Sequence, residues 1–292
     1  MHEGPETGSW TMLDEHVHVR QSKAYWMNSV VLLDSEHTIV VDPGALPSEI
    51  EEIAKLTRQA EPERVSLLFT HGHWDHVLGR PWWPKAKTIA HDACAAEMLA
   101  RADYIRGEAE SLAAQHGEKW TRPFEPFAID MAVSGQKFLK LDPWRLVLRD
   151  AFGHCDSQLS IHLPELQLLI AADMLSDIEI PILNRPPAVY RRTLETLLTL
   201  AEGGAFEALI PGHGSIAIGR DQVLQRVRTD LDYLAALERG VAEARASSRA
   251  LEATRERLSA MEYTGKHSTG YPTVNVHMRN IDTTWKSGQA AD

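Results

Sequence analysis

Thr70-His71-Gly72-His73-Trp74-Asp75-His76 places three imidazoles and one carboxylate within six consecutive residues, directly after the apolar run 65–69. A short apolar run of that length has the dimensions of a buried strand. The cluster therefore sits at a strand end, where a loop on a rigid scaffold carries chemistry. The same arrangement recurs three times. His154 follows the run 144–152, Asp173 follows 166–172, and His213 follows 206–210 in Pro211-Gly212-His213-Gly214. The candidate metal ligands are thus His71, His73, Asp75, His76, His154, Asp173 and His213.

Neutral imidazole and carboxylate suit zinc, manganese or iron. Seven such donors exceed what one tetrahedral ion takes, and two ions use them. A purely structural zinc site is typically closed, four-coordinate and rich in Cys, which this set is not. Two divalent cations carry four positive charges; two carboxylates and one hydroxide remove three. The centre keeps a charge near plus one, which favours an anionic transition state. Water on such an ion has its pKa lowered to about 7. Asp75 is the candidate catalytic residue, holding that proton and passing it to the leaving group. Asp42, at the end of a neighbouring strand, is a candidate acceptor for the free N–H of a ligand histidine.

With the earlier Val40-Val41-Asp42-Pro43-Gly44, these motifs in this order resemble the metallo-β-lactamase superfamily of metallohydrolases over about residues 13–220. The resemblance implies an α/β fold, the four-layer αββα sandwich. It assigns His71, His73 and His154 to one ion, Asp75, His76 and His213 to a second, and Asp173 as the bridge. It implies a hydrolase in which a metal-bridging hydroxide attacks an ester, lactone or thioester carbonyl, with two divalent ions, zinc before manganese or iron. The bridging Asp173 separates the pattern from the true β-lactamases. Met174-Leu175-Ser176-Asp177 lacks the Cys-Gly-Arg turn of glutathione-thioester hydrolases, and Ser176 stands where acyl-homoserine lactonases place Tyr. A phosphodiesterase using the same ions is the alternative. A non-hydrolytic iron protein that handles oxygen is the third class, which two zinc ions per chain would exclude.

Around this site the chain has 292 residues, 43% of them hydrophobic, and a net charge of −11. That charge opposes an extended basic track and disfavours nucleic acid as a partner. The expected partner is a small molecule with apolar groups. Two Cys form no disulfide framework, the first ten residues lack a signal-peptide pattern, and no apolar stretch reaches the ~20 residues of a membrane span. A soluble cytoplasmic protein is the expectation. Cys94 and Cys155 are expected as packing residues.

Strand-like runs at 15–20, 25–33, 38–41, 65–69, 87–90, 136–139, 145–151, 159–163 and 168–171 interleave with helices at 47–59, 92–101 and 189–201, a layered α/β pattern. Ligands scattered over one stretch of chain point to a catalytic domain at 1–220. An insertion is expected at 102–130, with a helix at 107–119. Residues 221–292 form a helical extension expected to pack on the same domain, through a long helical region to about 261, and to offer a face for a homo-oligomer. The polar tail from Ser287 is expected to fray. Trp74, between two ligands, is assigned to the substrate pocket. Trp82, Trp83 and the segments 120–127 and 178–187 are either further pocket wall or core.

Overall fold

The computed structural model describes residues 8–261 and 273–289. The start of the chain read for a signal, and the polar stretch 263–272, lie largely outside them. Two compact units emerge: Met1–Asp150 with Ser157–Leu166, and Ala151–Asp156 with Gln167–Asp292.

The first unit is built on seven strands paired in chain order: β1 (Trp10–Met12), β2 (Val17–Gln21), β3 (Asn28–Leu32), β4 (His37–Val41), β5 (Arg64–Leu68), β6 (Lys87–His91) and β7 (Met131–Val133). β1 to β4 pair antiparallel, and β4 to β7 pair parallel. Parallel neighbours need crossovers, and helix α1 (Pro47–Gln59) supplies the one between β4 and β5. Its proline sits in the first turn, where the missing N–H costs nothing. Ile50, Ile53, Ala54 and Thr57 bury one stripe at helical spacing. Helices α2 (Cys94–Ala100) and α3 (Ala102–Gln115) lie between β6 and β7. Strands β8 (Gln136–Leu141), β9 (Trp144–Asp150) and β10 (Leu159–Leu163) pair antiparallel in succession.

The core of this unit gathers Val40, Ile53, Leu67 and Phe69 with Trp82, Trp83, Trp120 and Phe124. These aromatics belong to the buried core. The Trp82 indole donates to Glu51 at 2.8 Å, that of Trp83 to Thr57 at 3.1 Å and that of Trp120 to the Ala109 carbonyl at 2.6 Å. Buried indoles with partners of this kind are structural. The helix expected at 107–119 begins earlier and stops earlier, because α3 is continuous from Ala102 and ends at Gln115 ahead of Gly117, which adopts a positive φ of 70°.

In the second unit, β11 (Leu168–Ile170) pairs parallel with β12 (Ala208–Ile210), and β12 antiparallel with β13 (Ala217–Ile218). Helix α4 (Pro187–Glu202) forms the crossover between β11 and β12, and α5 (Arg220–Ala246), α6 (Leu251–Leu258) and α7 (Thr273–Gln289) follow. The helical region expected to about residue 261 consists of two helices, separated around Ser248, whose φ is +52°. The tail from Ser287 lies partly outside the described residues; within them α7 runs to Gln289, and the Ser287 hydroxyl donates to the Thr283 carbonyl. Tyr190, Leu194, Phe206, Leu209, Val227, Leu234 and Ile281 share one core, which also takes in Ile180, Ile182 and Leu183 of the loop 178–187. Among the described residues no helix is long and apolar enough to cross a membrane.

Candidate metal centre

In the first unit, the carboxyl ends of two adjacent parallel strands deliver the functional side chains, the usual place for a site in such a sheet. β4 ends at Asp42 and β5 leads to Thr70, and their pairing sets Val41 opposite Leu68. Asp42 adopts a φ of +46°, a left-handed conformation that Asp tolerates better than most residues. Its buried carboxylate is fully engaged. Oδ1 accepts the Thr70 N–H at 2.7 Å, while Oδ2 accepts the Thr70 hydroxyl at 2.5 Å and His76 Nδ1–H at 2.8 Å.

These bonds settle two tautomers. His76 gives its Nδ1 proton to Asp42, so Nε2 carries the lone pair. The Thr70 hydroxyl proton is committed to Asp42; its oxygen, 3.0 Å from His71 Nδ1, therefore accepts from that nitrogen. His71 likewise offers Nε2. Both imidazoles are wholly buried. The His71 ring lies 4.6 Å from that of His73 and 4.2 Å from that of His76, centroid to centroid. The Asp75 carboxylate is 3.8 Å from His76 Nε2. His71, His73, Asp75 and His76 thus form one cluster of metal-type donors backed by Asp42. Trp74 is half-buried beside it and meets the Tyr25 ring edge-on at 6.2 Å.

In the second unit the donors come from three separate loops. Pairing of β11 with β12 sets Ile170 opposite Ile210, so Asp173 and His213 emerge on the same side. The Gly212 N–H donates to the Ala172 carbonyl at 2.5 Å and fixes the two turns together. Glycine is required at 212, because a Cβ there would lie 2.2 Å from Asp173 Oδ1. His154 is held from α4: Thr193 Oγ1 donates to the Phe152 carbonyl at 2.7 Å, and Gly153 (φ +136°) lies flat against Tyr190. The Tyr190 hydroxyl donates to the Asp173 carbonyl at 3.2 Å, and burial pushes its pKa well above the usual tyrosine value. The outcome is a carboxylate shared by two imidazoles. Asp173 Oδ2 lies 3.2 Å from His154 Nε2, and Oδ1 lies 3.5 Å from His213 Nε2.

Several contributors carried no sequence signal. Asp177 Oδ1 accepts the Ser215 N–H at 2.8 Å and its Oδ2 pairs with Arg226 at 3.2 Å, holding the turn after His213. Asp230 of α5 accepts the Leu175 N–H at 3.1 Å. Ser176, in the position compared with the lactonase tyrosine, is buried and its hydroxyl accepts the N–H groups of Ile178 and Glu179. These residues act through folded contacts that no linear motif announces. Both cysteines are buried, and burial pushes the Cys94 thiol up to about 12.

The donor set fits divalent ions. It is buried imidazole and carboxylate, two of the imidazoles have their lone pairs directed by bonds behind them, and one carboxylate presents an oxygen to each of two histidines.

The sequence model of the metallo-beta-lactamase superfamily matches residues 26–213, more than half of the chain. No protein of curated function matches it in sequence. Among solved structures, the stereoselective inverting sec-alkylsulfatase Pisa1 from Pseudomonas sp. is similar with a TM-score of 0.75 at 14% identity, over 96% of this chain and 50% of that one. The chain thus spans about half the length of that enzyme. A metallo-beta-lactamase from Pontibacter korlensis is similar at a TM-score of 0.53 and 14% identity, over 75% of this chain and 98% of its own. The DIM-1 metallo-beta-lactamase is similar at 0.52 and 17%, over 78% and 99%. At such identities the likeness is one of fold, the mixed α/β metallo-β-lactamase fold that the motifs implied. The chain belongs to the metallo-β-lactamase superfamily.

Proposed function

We propose that the chain is a dinuclear metal-dependent hydrolase of carboxylic esters, lactones or thioesters. His71, His73 and His154 serve one ion, Asp75, His76 and His213 the other, and Asp173 both. The observation that carries this reading is the Asp173 carboxylate, whose two oxygens face two different imidazoles at 3.2 and 3.5 Å. A carboxylate serving one ion has no need of that arrangement. The ions, when bound, supply Lewis acidity and lower the pKa of water. Zinc is the metal expected, since it suits His and Asp donors at neutral pH.

The chain's own groups do the rest. Asp75, 8% exposed, takes the proton of the attacking water and returns it to the leaving oxygen or sulfur. Asp42 keeps His76 in the tautomer that presents Nε2. Trp74 and Tyr25 offer aromatic surface to an apolar acyl or alcohol group.

Elemental analysis of the purified protein, combined with p-nitrophenyl esters, thioesters, lactones and bis-p-nitrophenyl phosphate, tests the proposal. Two zinc ions per chain and turnover of an ester-type substrate above the diester are expected. A single iron, or no hydrolysis by metal-loaded protein, overturns it. A second reading, cleavage of an alkyl sulfate ester, is favoured by the extent of the alkylsulfatase likeness. It reaches 96% of this chain, whereas the β-lactamase likenesses reach 75% and 78%. An alkyl sulfate in the same panel separates the two.

A further inference from the structure

Glu97, on α2, has no place in the seven-donor set, yet its carboxylate faces the metal cluster of the first unit. Oε1 lies 3.5 Å from His73 Nε2. Oε2 accepts the Ser157 hydroxyl at 2.5 Å, and the Ser157 oxygen accepts the Gly72 N–H at 2.9 Å. One carboxylate thereby lies against the ring of His73 and is tied through Ser157 to the peptide between His71 and His73. The packing is close: a Cβ on Gly72 would lie 3.1 Å from Glu97 Oε2 and 3.2 Å from its Cβ. Glu97 also pairs with Arg101, at 3.6 Å and 39% exposed. A solvent-screened pair of that kind contributes little and does not account for the Ser157 and Gly72 bonds.

His71 and His76 turn Nδ1 toward their buried acceptors, and His73 turns Nε2 toward Glu97. We propose that Glu97 is the positioning carboxylate of His73. It accepts the Nε2 proton, fixes that tautomer and leaves the Nδ1 lone pair to the ion, while Ser157 holds the carboxylate in place. This rests on the two-ion reading above. Carboxylate partners of ligand histidines orient the ring and raise its basicity, and their loss typically lowers metal affinity 10- to 100-fold.

The test compares wild type with Glu97→Gln. Three quantities are measured: zinc affinity by competition with a chelator, the visible spectrum of the cobalt(II)-loaded protein, and the His73 tautomer in ¹⁵N-histidine-labelled apo-protein. The expected result is a 10- to 100-fold loss of affinity for one of the two ions, an altered cobalt spectrum, and loss of the Nε2–H form of His73. The apo-protein melting temperature should be unchanged. A purely structural Glu97 would move the melt and not the tautomer. Wild-type affinity and tautomer in the variant would overturn the proposal. If Glu97→Gln does not fold, Glu97→Asp, which keeps the charge but withdraws it by one methylene, decides on the same readouts. Wild-type protein that takes up no divalent ion would instead bring down the two-ion reading.

Discussion

The two regions that supply the donors are assembled in opposite ways. In the first unit His71, His73, Asp75 and His76 come from one loop, so chain connectivity gathers them. Folding adds the backing of Asp42 from the adjacent strand and sets the Glu97 carboxylate of α2 against His73. In the second unit His154, Asp173 and His213 come from three loops, and parallel pairing of β11 with β12, the Gly212 bond and the Tyr190 platform bring them together. The first cluster is therefore local and forgiving of distant change. The second depends on tertiary packing, and residues that bear no metal-binding group become critical to it.

The largest effects are expected at the two aspartates, one from each region. Asp173→Ala removes the carboxylate shared by His154 and His213 together with its negative charge. Loss of at least one ion and of nearly all hydrolysis is expected, exceeding the 10- to 100-fold effect typical of residues behind the ligands. Asp75→Asn should approach it, because an amide neither balances a cation nor takes a proton. Metal content and turnover measured on the same samples check both. Near-wild-type turnover in either variant with full metal content would refute the assigned roles.

Glycine replacements sharpen the contrast. Gly212→Ala would set a Cβ 2.2 Å from Asp173 Oδ1, and the nearby Ala172 backbone at 3.0 Å leaves little room to yield. The carboxylate must turn away, so a loss of metal nearly as severe as in Asp173→Ala is expected. At Gly72 the corresponding contacts are 3.1 to 3.3 Å and all with the Glu97 side chain, which can shift by a few tenths of an ångström. Gly72→Ala should then be the milder variant. The reverse order of metal affinities would mean that the second region is not the more tightly determined one.

Asp42 comes next. Asp42→Asn keeps the size and one acceptor but cannot satisfy three donors while balancing the His76 imidazole. A 10- to 100-fold loss of metal affinity is expected, with a smaller effect on the apo-protein fold. Equal affinity in the variant would show that the loop holds its donors unaided.

The same difference explains how far the chain could be read in advance. The motif at 70–76 and the strand 65–69 declare themselves because ligand spacing and apolar run are contiguous, and α1 emerged at 47–59 because Pro47 and the Ile50, Ile53, Ala54, Thr57 stripe are both local signals. The short strands β1, β7 and β13 were missed, since two or three residues carry no period and exist only through their partners. Helix α7 falls within the expected helical extension but shows no bounds of its own in the sequence, because its buried residues, Val276, His277, Asn280, Ile281 and Thr284, include too many polar groups to show an apolar stripe. Those polar groups are paired inside the fold: Asn280 accepts the Leu183 N–H and donates to the Pro181 carbonyl. Glu97 went unremarked for the same reason, as nothing in the sequence brings α2 to the His73 ring.

The smallest effect concerns one buried histidine in each unit that lies outside the donor set. His277 Nε2–H donates to the Leu258 carbonyl at 2.9 Å, so its Nδ1, 3.0 Å from the Tyr233 oxygen, accepts the phenol proton. Burial lowers its pKa below the ordinary 6.5, outweighing the raising effect of the Leu258 bond. His37, 2.9 Å from the Ser66 hydroxyl, is lowered first by burial and then by Arg64. Both are neutral in the folded chain at neutral pH. As pH falls below about 6.5 the unfolded chain takes up protons first, so stability is lost between that value and the lower folded pKa. His277→Gln, which can keep a donor and an acceptor, should lose less melting temperature than wild type between about pH 7.5 and about pH 5.5. The difference should be small, on the order of 2 °C. His37→Gln should behave alike in the other unit, and the pair of variants tells which unit unfolds first in acid. An acid limb unchanged in both variants would place the loss elsewhere.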